Sequence, residues 1–423
     1  MSLTAPHKEP ATTTPEWTFH VDRETVVAEP HARPPMPAGP GDTIMHLGID
    51  CSATARMRLF EIFGIDHEAK NTRHWMKQCD GYGLKLEQHT EFMSVTLLIS
   101  QDGDAAATSR LLMDIAAVDE VEAITLTKVE VTGPLTRKSK AAARQGRALG
   151  GTMRGGMAVH STLIPDAAGF ITYHVATPQA SPEETGRRVQ RLIEMETYRT
   201  LCLLGLPIAR RTGESLAEDE NRLIEVVGSM GSESIENDEK LFEALSGLLQ
   251  KSNALRASTR FRFSASLAYY NLVQQRLTSL EEEKLDDLQT ISGFVRSRLE
   301  PSMATIDSIG ARQKTLIDDL SQALSLLRTR IDLTLNRDNQ VLLKSLDARN
   351  RKQVLIAQTV EGLSAVAITY YAVGLLSYVL KAAGPSLAPA LPHTTLLAVS
   401  VPVVLFAVWF SLHRLRSRWE KSA

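Results

Sequence analysis

At 423 residues, 43% hydrophobic and 23% charged, the chain has the composition of globular material and the length for two or three compact units. A formal net charge of −2 argues against a polyanion binder, so no nucleic-acid partner is expected. Three cysteines, Cys51, Cys79 and Cys202, without a CxxC pair argue against a disulfide framework and fit a reducing compartment.

Residues 1 to 45 read as an extended, Pro-rich arm, without the basic start and apolar run of a secretory signal. Within it, prolines at 30, 34 and 35 hold the backbone extended, and His31 and Arg33 stand as candidate contacts for an anion or carboxylate. The competing reading of that stretch is a segment simply docked on the surface.

Residues 46 to 180 read as an α+β cytoplasmic domain with a mainly antiparallel sheet. Ser52–Phe63 and Glu68–Gln78 have helical spacing, whereas Glu91–Ile99, Val121–Val131, Met157–Ile164 and Phe170–Ala176 read as strands. Pro165–Gly169 supplies hairpin-turn chemistry, and a helix is expected between 104 and 118. His89 and Glu91, two apart on a strand, would share one face and are candidate ligand contacts. His31, His46, His74 and His89 show no tight metal-ligand spacing and no GxSxG motif occurs, so no metal, cofactor or enzymatic activity is expected.

The segment Arg137–Arg154 carries six Lys or Arg residues, and no acid occurs between Glu130 and Asp166. Such a patch suits anionic lipid headgroups, or else a solvated loop. Gly146 and Gly151 have the spacing of a phosphate loop, but Thr152 and Met153 stand where Lys and Ser/Thr are required, which rules that motif out.

From Ser181 the chain reads as helical, a region spanning 181–355. Ser181 as N-cap and Pro182 behind it open the first helix, and Pro207 is expected to break or kink it. Further helices are expected over Leu216–Met230, Asn237–Arg260 and Ala265–Leu299, with Pro301 as a boundary. Beyond it, Leu316, Leu320, Leu324, Leu327, Ile331 and Leu335 form one apolar stripe, and no Pro or Gly interrupts residues 311 to 361. A stalk helix of about 50 residues, ~75 Å long, would need a partner helix or a second copy along that stripe, so a coiled coil and a homo-oligomer are expected.

The stalk would enter a membrane. Gly362–Leu380 and Thr394–Leu412 are each nineteen residues without a charge, about enough helix to cross the ~30 Å core of a bilayer. The expected layout is a two-helix transmembrane hairpin: spans at 356–381 and 394–413, an external loop at 382–393 and a basic tail at 414–423. Arg349, Arg351 and Lys352 precede the first span and Arg414, Arg416, Arg418 and Lys421 follow the second, so both termini are expected on the cytoplasmic side of a bacterial inner membrane. Glu361 and Lys381 mark the charged edges of the first span. Ser364, Tyr371, Gly374 and Tyr378 lie along one of its faces and are candidates for helix packing or pore lining.

Tyr198–Pro207, Arg260–Ser264 with Ala268–Tyr270, Leu326–Asp332, and Thr359–Ser364 with Tyr370–Gly374 resemble motifs of a bacterial membrane-anchored family known as domain of unknown function 3422, as do the elements around His31 and His89. The resemblance covers nearly the whole chain and carries no activity with it. The architecture is also similar, more distantly, to magnesium channels of the CorA type, which join a cytoplasmic α/β domain to a long stalk helix and two spans. Those channels close the first span with Gly-Met-Asn; here that place reads Ser377–Lys381. Two functions are therefore expected to compete: a membrane-coupled scaffold or sensor, and an oligomeric cation conduit with a divergent filter.

Overall fold

The structure is a computed structural model that describes residues 17–28, 34–65, 73–134, 148–177, 180–230, 235–285, 288–383 and 393–419. Contacts divide the chain into two units, Met1–Gly231 with Glu243–Ala323, and Ser232–Phe242 with Leu324–Ala423.

The first unit is α+β. After a short helix α1 (Arg23–Ala28) come β1 (Thr43–Cys51), α2 (Ala53–Ile62), β2 (His74–Cys79), β3 (Tyr82–Gln88), β4 (Met93–Ile99), α3 (Ala105–Ala116) and β5 (Val121–Thr132). They are followed by β6 (Leu149–Met153), β7 (Met157–Pro165), β8 (Ile171–Ala176), α4 (Pro182–Leu203), α5 (Gly205–Ser229) and α6 (Ile235–Leu280). A two-residue strand β9 (Glu283–Lys284) then precedes α7 (Ile291–Ala383) and α8 (His393–Trp419).

Local chemistry sets the helix starts. Ser52 Oγ accepts from Ala55 N at 3.1 Å, Asp104 Oδ1 accepts from Ala106 N and Ala107 N at 2.9 Å each, and Ser181 Oγ accepts from Glu184 N at 3.3 Å. Each satisfies N–H groups that the first helical turn leaves unpaired. The Asp166 carboxylate accepts from Ala168 N and Phe170 N, both at 2.9 Å, and closes the β7–β8 hairpin.

The nine strands form one mixed sheet in the order β2-β3-β4-β1-β5-β8-β7-β6-β9, antiparallel throughout except for the parallel pair β5·β8. Alternation sends side chains to two faces. On one, Leu47, Leu84, Leu86, Val95 and Leu97 join Leu59, Phe60, Leu111 and Ile115 of α2 and α3 in one core. A second core packs Val129, Val159, Tyr173 and Val175 of the sheet with Val189, Leu192 and Met195 of α4, Val273 and Leu277 of α6, and Val295, Leu299 and Ile306 of α7. Sheet and helices thus share a core across residue 180, where the sequence suggested a boundary. Within the span 1–45 expected as an arm, Ala38 is buried and its N–H donates to Pro182 O at 3.0 Å.

Several elements differ from the sequence reading. Within Glu68–Gln78, expected as a helix, His74–Cys79 is a strand paired to β3 through the two-residue turn Asp80-Gly81, with Gly81 at φ 88°. The strong hairpin preference of Asp-Gly outweighs the helical spacing before it. The helix expected over Ala265–Leu299 is two helices: α6 ends at Leu280, Glu281 takes φ 45°, and the chain reverses through β9 into α7. Pro301 lies inside α7 and is no boundary. Ile291, Val295, Leu299, Met303 and Ile306 are all buried along one stripe on both sides of it, and that packing offsets the ~3 kcal/mol an internal proline costs. The α4 helix stops at Leu203, four residues before Pro207, which sits in the first turn of α5, where the missing N–H is harmless.

The α6 and α7 helices run antiparallel: Thr259 Oγ1 lies 3.3 Å from Gln313 Oε1, and Asp238 Oδ2 lies 3.1 Å from Arg330 Nε. Leu316, Leu320 and Leu327 of the stripe are buried, whereas Leu335 is exposed. The register explains this, because α6 begins at Ile235 and has no residue left to lie opposite α7 much past Arg330.

In the second unit, every residue of α7 from Leu335 to Ser364 is exposed. Among the described residues α7 is the one helix long and apolar enough to cross a membrane, by length and composition; α8 carries a shorter apolar stretch, Ala398–Ser411.

Candidate functional site

The strand register places polar side chains in two adjacent rows on the sheet face that α4 covers. Lys85 pairs with Thr96, Thr96 with His46 and His46 with Thr127. In the next row His74 pairs with Glu87, Glu87 with Ser94, and Ser94 with Gly48. These residues are the alternate positions of strands whose remaining side chains fill the α2–α3 core. Residues of α4, among them Gln190, Glu194, Thr197 and Tyr198, close over them. Gly186 lets the Met36–Pro37 backbone cross α4, since a Cβ there would lie 2.1 Å from Met36 O.

The cluster is buried and charged. Lys85 Nζ stands 3.2 Å from Glu87 Oε1, with side chains 6% and 11% exposed. Burial works against the Glu87 carboxylate, but Lys85 beside it outweighs that and lowers its pKa. His46 Nδ1 lies 2.8 Å from Thr96 Oγ1, and its Nε2 has no hydrogen-bond partner among the described residues. Burial, only partly opposed by Glu87, lowers the His46 pKa to about 4, so the ring is neutral at pH 7. Glu194 accepts from Gln190 Nε2 at 2.9 Å and from Arg276 Nε at 2.5 Å. The enclosed space here, about 50 Å³ beside His46 and Lys85 and about 30 Å³ beside His89 and Ser94, suits no more than water.

A cleft of about 420 Å³ adjoins this cluster, lined by Arg73, Gln88, His89, Thr90, Tyr198 and Tyr269 among others. Its size is that of a small-molecule pocket. His89 joins the two spaces: its ring stacks on Phe92 at 4.2 Å and its Nε2 lies 3.4 Å from Ser94 Oγ. Tyr198 and Tyr269 stack at 5.8 Å on the far wall. Burial, then the charge and hydrogen bond of Glu91, push the Tyr269 hydroxyl up to about 12, so it stays a donor. Glu91 itself accepts from Arg262 Nη1 at 3.0 Å, which ties the β3–β4 turn to α6. Such walls offer aromatic faces with fixed donors around a ligand. Glu87 lies 3.5 Å from the same Ser94 hydroxyl that His89 approaches, so the three form a shared polar contact.

The structure therefore keeps His89 and Glu91 near each other, but on the β3–β4 turn, where His89 N donates to Phe92 O at 2.9 Å, instead of on a strand face. His31 and Arg33 lie outside the described residues, as do residues 137–147 of the basic segment. Arg154, its last member, pairs with Glu281 Oε1 at 2.7 Å. In the second unit Glu361, Ser364, Tyr371, Tyr378, Lys381 and Arg414 are exposed and Gly374 is half-buried. Tyr371, Gly374, Tyr378 and Lys381 line a groove of about 720 Å³ together with Val401 and Leu405 of α8. Arg416 and Arg418 fall on α8.

A family model described as Protein of unknown function (DUF3422) matches residues 18–419. The chain belongs to the DUF3422 family. A comparison with curated proteins found no match. In this DUF3422 chain the residues that sequence reasoning missed are Lys85, Glu87, Ser94, Thr96 and Glu194, while His46 enters it only as a rejected metal ligand and Tyr198 and Tyr269 only within family motifs. Their signal is the strict alternation of Lys85 and Glu87 with Leu84 and Leu86, and of Ser94 and Thr96 with Val95 and Leu97. Read as two faces, it marks β3 and β4 as strands with one apolar and one polar buried side.

Proposed function

We propose that this DUF3422 chain is a non-enzymatic, membrane-anchored scaffold or sensor whose α+β unit faces the cytoplasm of a bacterial cell. The observation that carries the reading is the unbroken run of α7 through Gly362–Leu380, with Leu363, Val366, Tyr370, Leu375 and Tyr378 at least 68% exposed. Water strongly disfavours such a surface and a bilayer accepts it. On this reading α7 and α8 form the two spans, the basic residues before and after them keep both termini inside, and lipid is the first partner. Upstream, Leu342, Leu346, Ile356 and Val360 are exposed at helical spacing, which a second copy of the chain would cover as a homo-oligomer. The cleft beside His89 is the ligand site on the sensor side of the scheme.

The test is topology in intact cells. A chain carrying Ala388→Cys should resist carbonate extraction and react with a membrane-impermeant maleimide, while the half-buried Cys51 and Cys79 stay protected until lysis. Release by carbonate, or an unreactive residue 388, would remove the reading.

A second reading, a CorA-like oligomeric cation conduit, is favoured by the groove that gathers Tyr371, Gly374, Ser377 and Tyr378. Lys381 on the same groove opposes it, since cations need oxygen ligands at a pore mouth. A monomer or dimer in detergent would eliminate the conduit; a pentamer with cation flux abolished by Tyr378→Ala would establish it.

A further inference from the structure

A separate cavity of about 250 Å³ opens in the first unit between the β6–β7 turn, the start of α4 and the end of α6. Its charge is one-sided. Arg154 comes from the turn, and Arg187, Arg188 and Arg191 come from α4, where spacings of three and four place them on adjoining turns of one side. Among the described residues one acid, Glu184, shares the lining, and Glu281 takes Arg154 at the rim, so two positive charges remain in excess there. Met153, Met157 and Leu280, all buried, form an apolar floor.

Arg188 is held in place by Glu184. Its Nη2 donates to Glu184 Oε1 and its side chain is only 14% exposed. Its Nη1 is buried with no hydrogen-bond partner among the described residues. A buried donor on a cation that is left unsatisfied is unfavourable by an amount comparable to a whole charged hydrogen bond. The backbone makes room for this arrangement: Gly155, at φ 78°, passes so close that a Cβ there would lie 2.2 Å from Arg188 Nη2. An ordinary surface cluster of arginines would neither bury a guanidinium nor leave one of its nitrogens pointing at no acceptor.

We propose that this cavity binds a phosphate-bearing anion, with Arg188 as the fixed donor and Arg154, Arg187 and Arg191 closing around it. The guanidinium fork matches two oxygens of a phosphate, and a dianionic phosphate monoester would neutralise the excess charge of the lining. The volume fits a phosphate with a small substituent and excludes a whole nucleotide embedded on all sides. This site does not depend on the membrane reading, because all its residues lie in the first unit. The phosphate could belong to a soluble ester or to a lipid headgroup, and the two arms of the test separate them.

The experiment is calorimetric titration of the full chain in neutral detergent with inorganic phosphate and, separately, with dioctanoyl phosphatidic acid. Saturable binding of one site per chain is expected in at least one arm: comparable affinity in both identifies a free phosphate group as sufficient, and binding of the lipid alone identifies a headgroup site. Arg188→Gln should weaken binding at least about tenfold, the worth of one charge-assisted hydrogen bond. Should that variant fail to fold, the more exposed Arg191→Gln carries the same expectation. Arg110→Gln, an exposed arginine of α3 outside the cavity, should leave the affinity unchanged. No saturable binding in either arm, or an equal loss in Arg110→Gln, overturns the proposal.

Discussion

The Glu282 carboxylate caps α7 at Ile291: Oε1 accepts from Ile291 N at 2.8 Å, and Oε2 from Ser292 N at 2.7 Å. Two of the four N–H groups that a helix start leaves open are thereby satisfied by one negative side chain placed at the positive end of the helix dipole. Glu282→Ala should lower stability by about 1–2 kcal/mol, the usual worth of a helix cap. Thermal unfolding followed by tryptophan fluorescence will read this, and an unchanged midpoint would show the cap to be redundant.

Acid should weaken the protein through His46. The native ring holds its proton only below about pH 4, whereas the unfolded chain takes one up below 6.5. Between these values the unfolded state binds more protons, so stability falls as pH drops from 6.5 to 4 and then levels off. The full span corresponds to about 3 kcal/mol. His160, half-buried, stacked on His174 and also lowered to about 4 by that burial, contributes with the same sign. The measurement is therefore a comparison: urea midpoints between pH 4 and 7 should slope less in His46→Gln than in the natural chain. Parallel slopes would contradict the assignment.

Below that window Glu130 takes over. The hydrogen bond from His174, opposed by burial and aided by Lys128, lowers its pKa to about 2. Its stabilisation is present above pH 4.5 and is lost as pH falls toward 2, so Glu130→Gln should flatten the midpoint in that lower range while leaving the slope above pH 5 in place.

Within the second core, Tyr173 donates to Glu196 Oε2 at 2.6 Å, and Arg199 Nε donates to the same oxygen at 3.0 Å. Glu196 is fully buried. Removing the phenol leaves the carboxylate with its cation, so Tyr173→Phe should be mild, about 1 kcal/mol. Arg199→Leu strands a buried charge and should cost about 3–5 kcal/mol. Equal effects in denaturation midpoints would mean that Arg199 does not neutralise Glu196.

If the exposed stretch of α7 pairs with a second copy, Leu342→Asp with Leu346→Asp should shift the chain to monomers in sedimentation without lowering the unfolding midpoint of the α+β unit. A monomeric natural chain would exclude the pairing.

The helical half was legible wherever one residue dictated the local geometry. Ser181 and Pro182 announced α4, and the absence of Pro and Gly after Gly310 announced the run of α7. Periodicity misled where packing overruled propensity, as at Pro301, and where two helices of similar pattern meet at a reversal, as at Leu280. The polar cluster escaped because each of its members looks unremarkable within its own strand. His46 owes its depressed pKa chiefly to burial, which comes only when the strands of Thr96 and Lys85, about 40 to 50 residues away, assemble beside it. No spacing along the chain records that meeting, although the alternation of Lys85 and Glu87 with leucines hinted at a second buried face.

The two residues of β9 close the β6 edge of the sheet, Lys284 pairing with Gly151 and Glu283 with Thr152. On a ribosome adding about 5–20 residues per second, the β6 edge would emerge some seven to 27 seconds before its partner is made. During that interval its backbone donors and acceptors are open to any neighbouring strand. Cells making this protein at high rate would therefore meet its aggregation hazard before the chain is complete, and a pause after β6 would aggravate it.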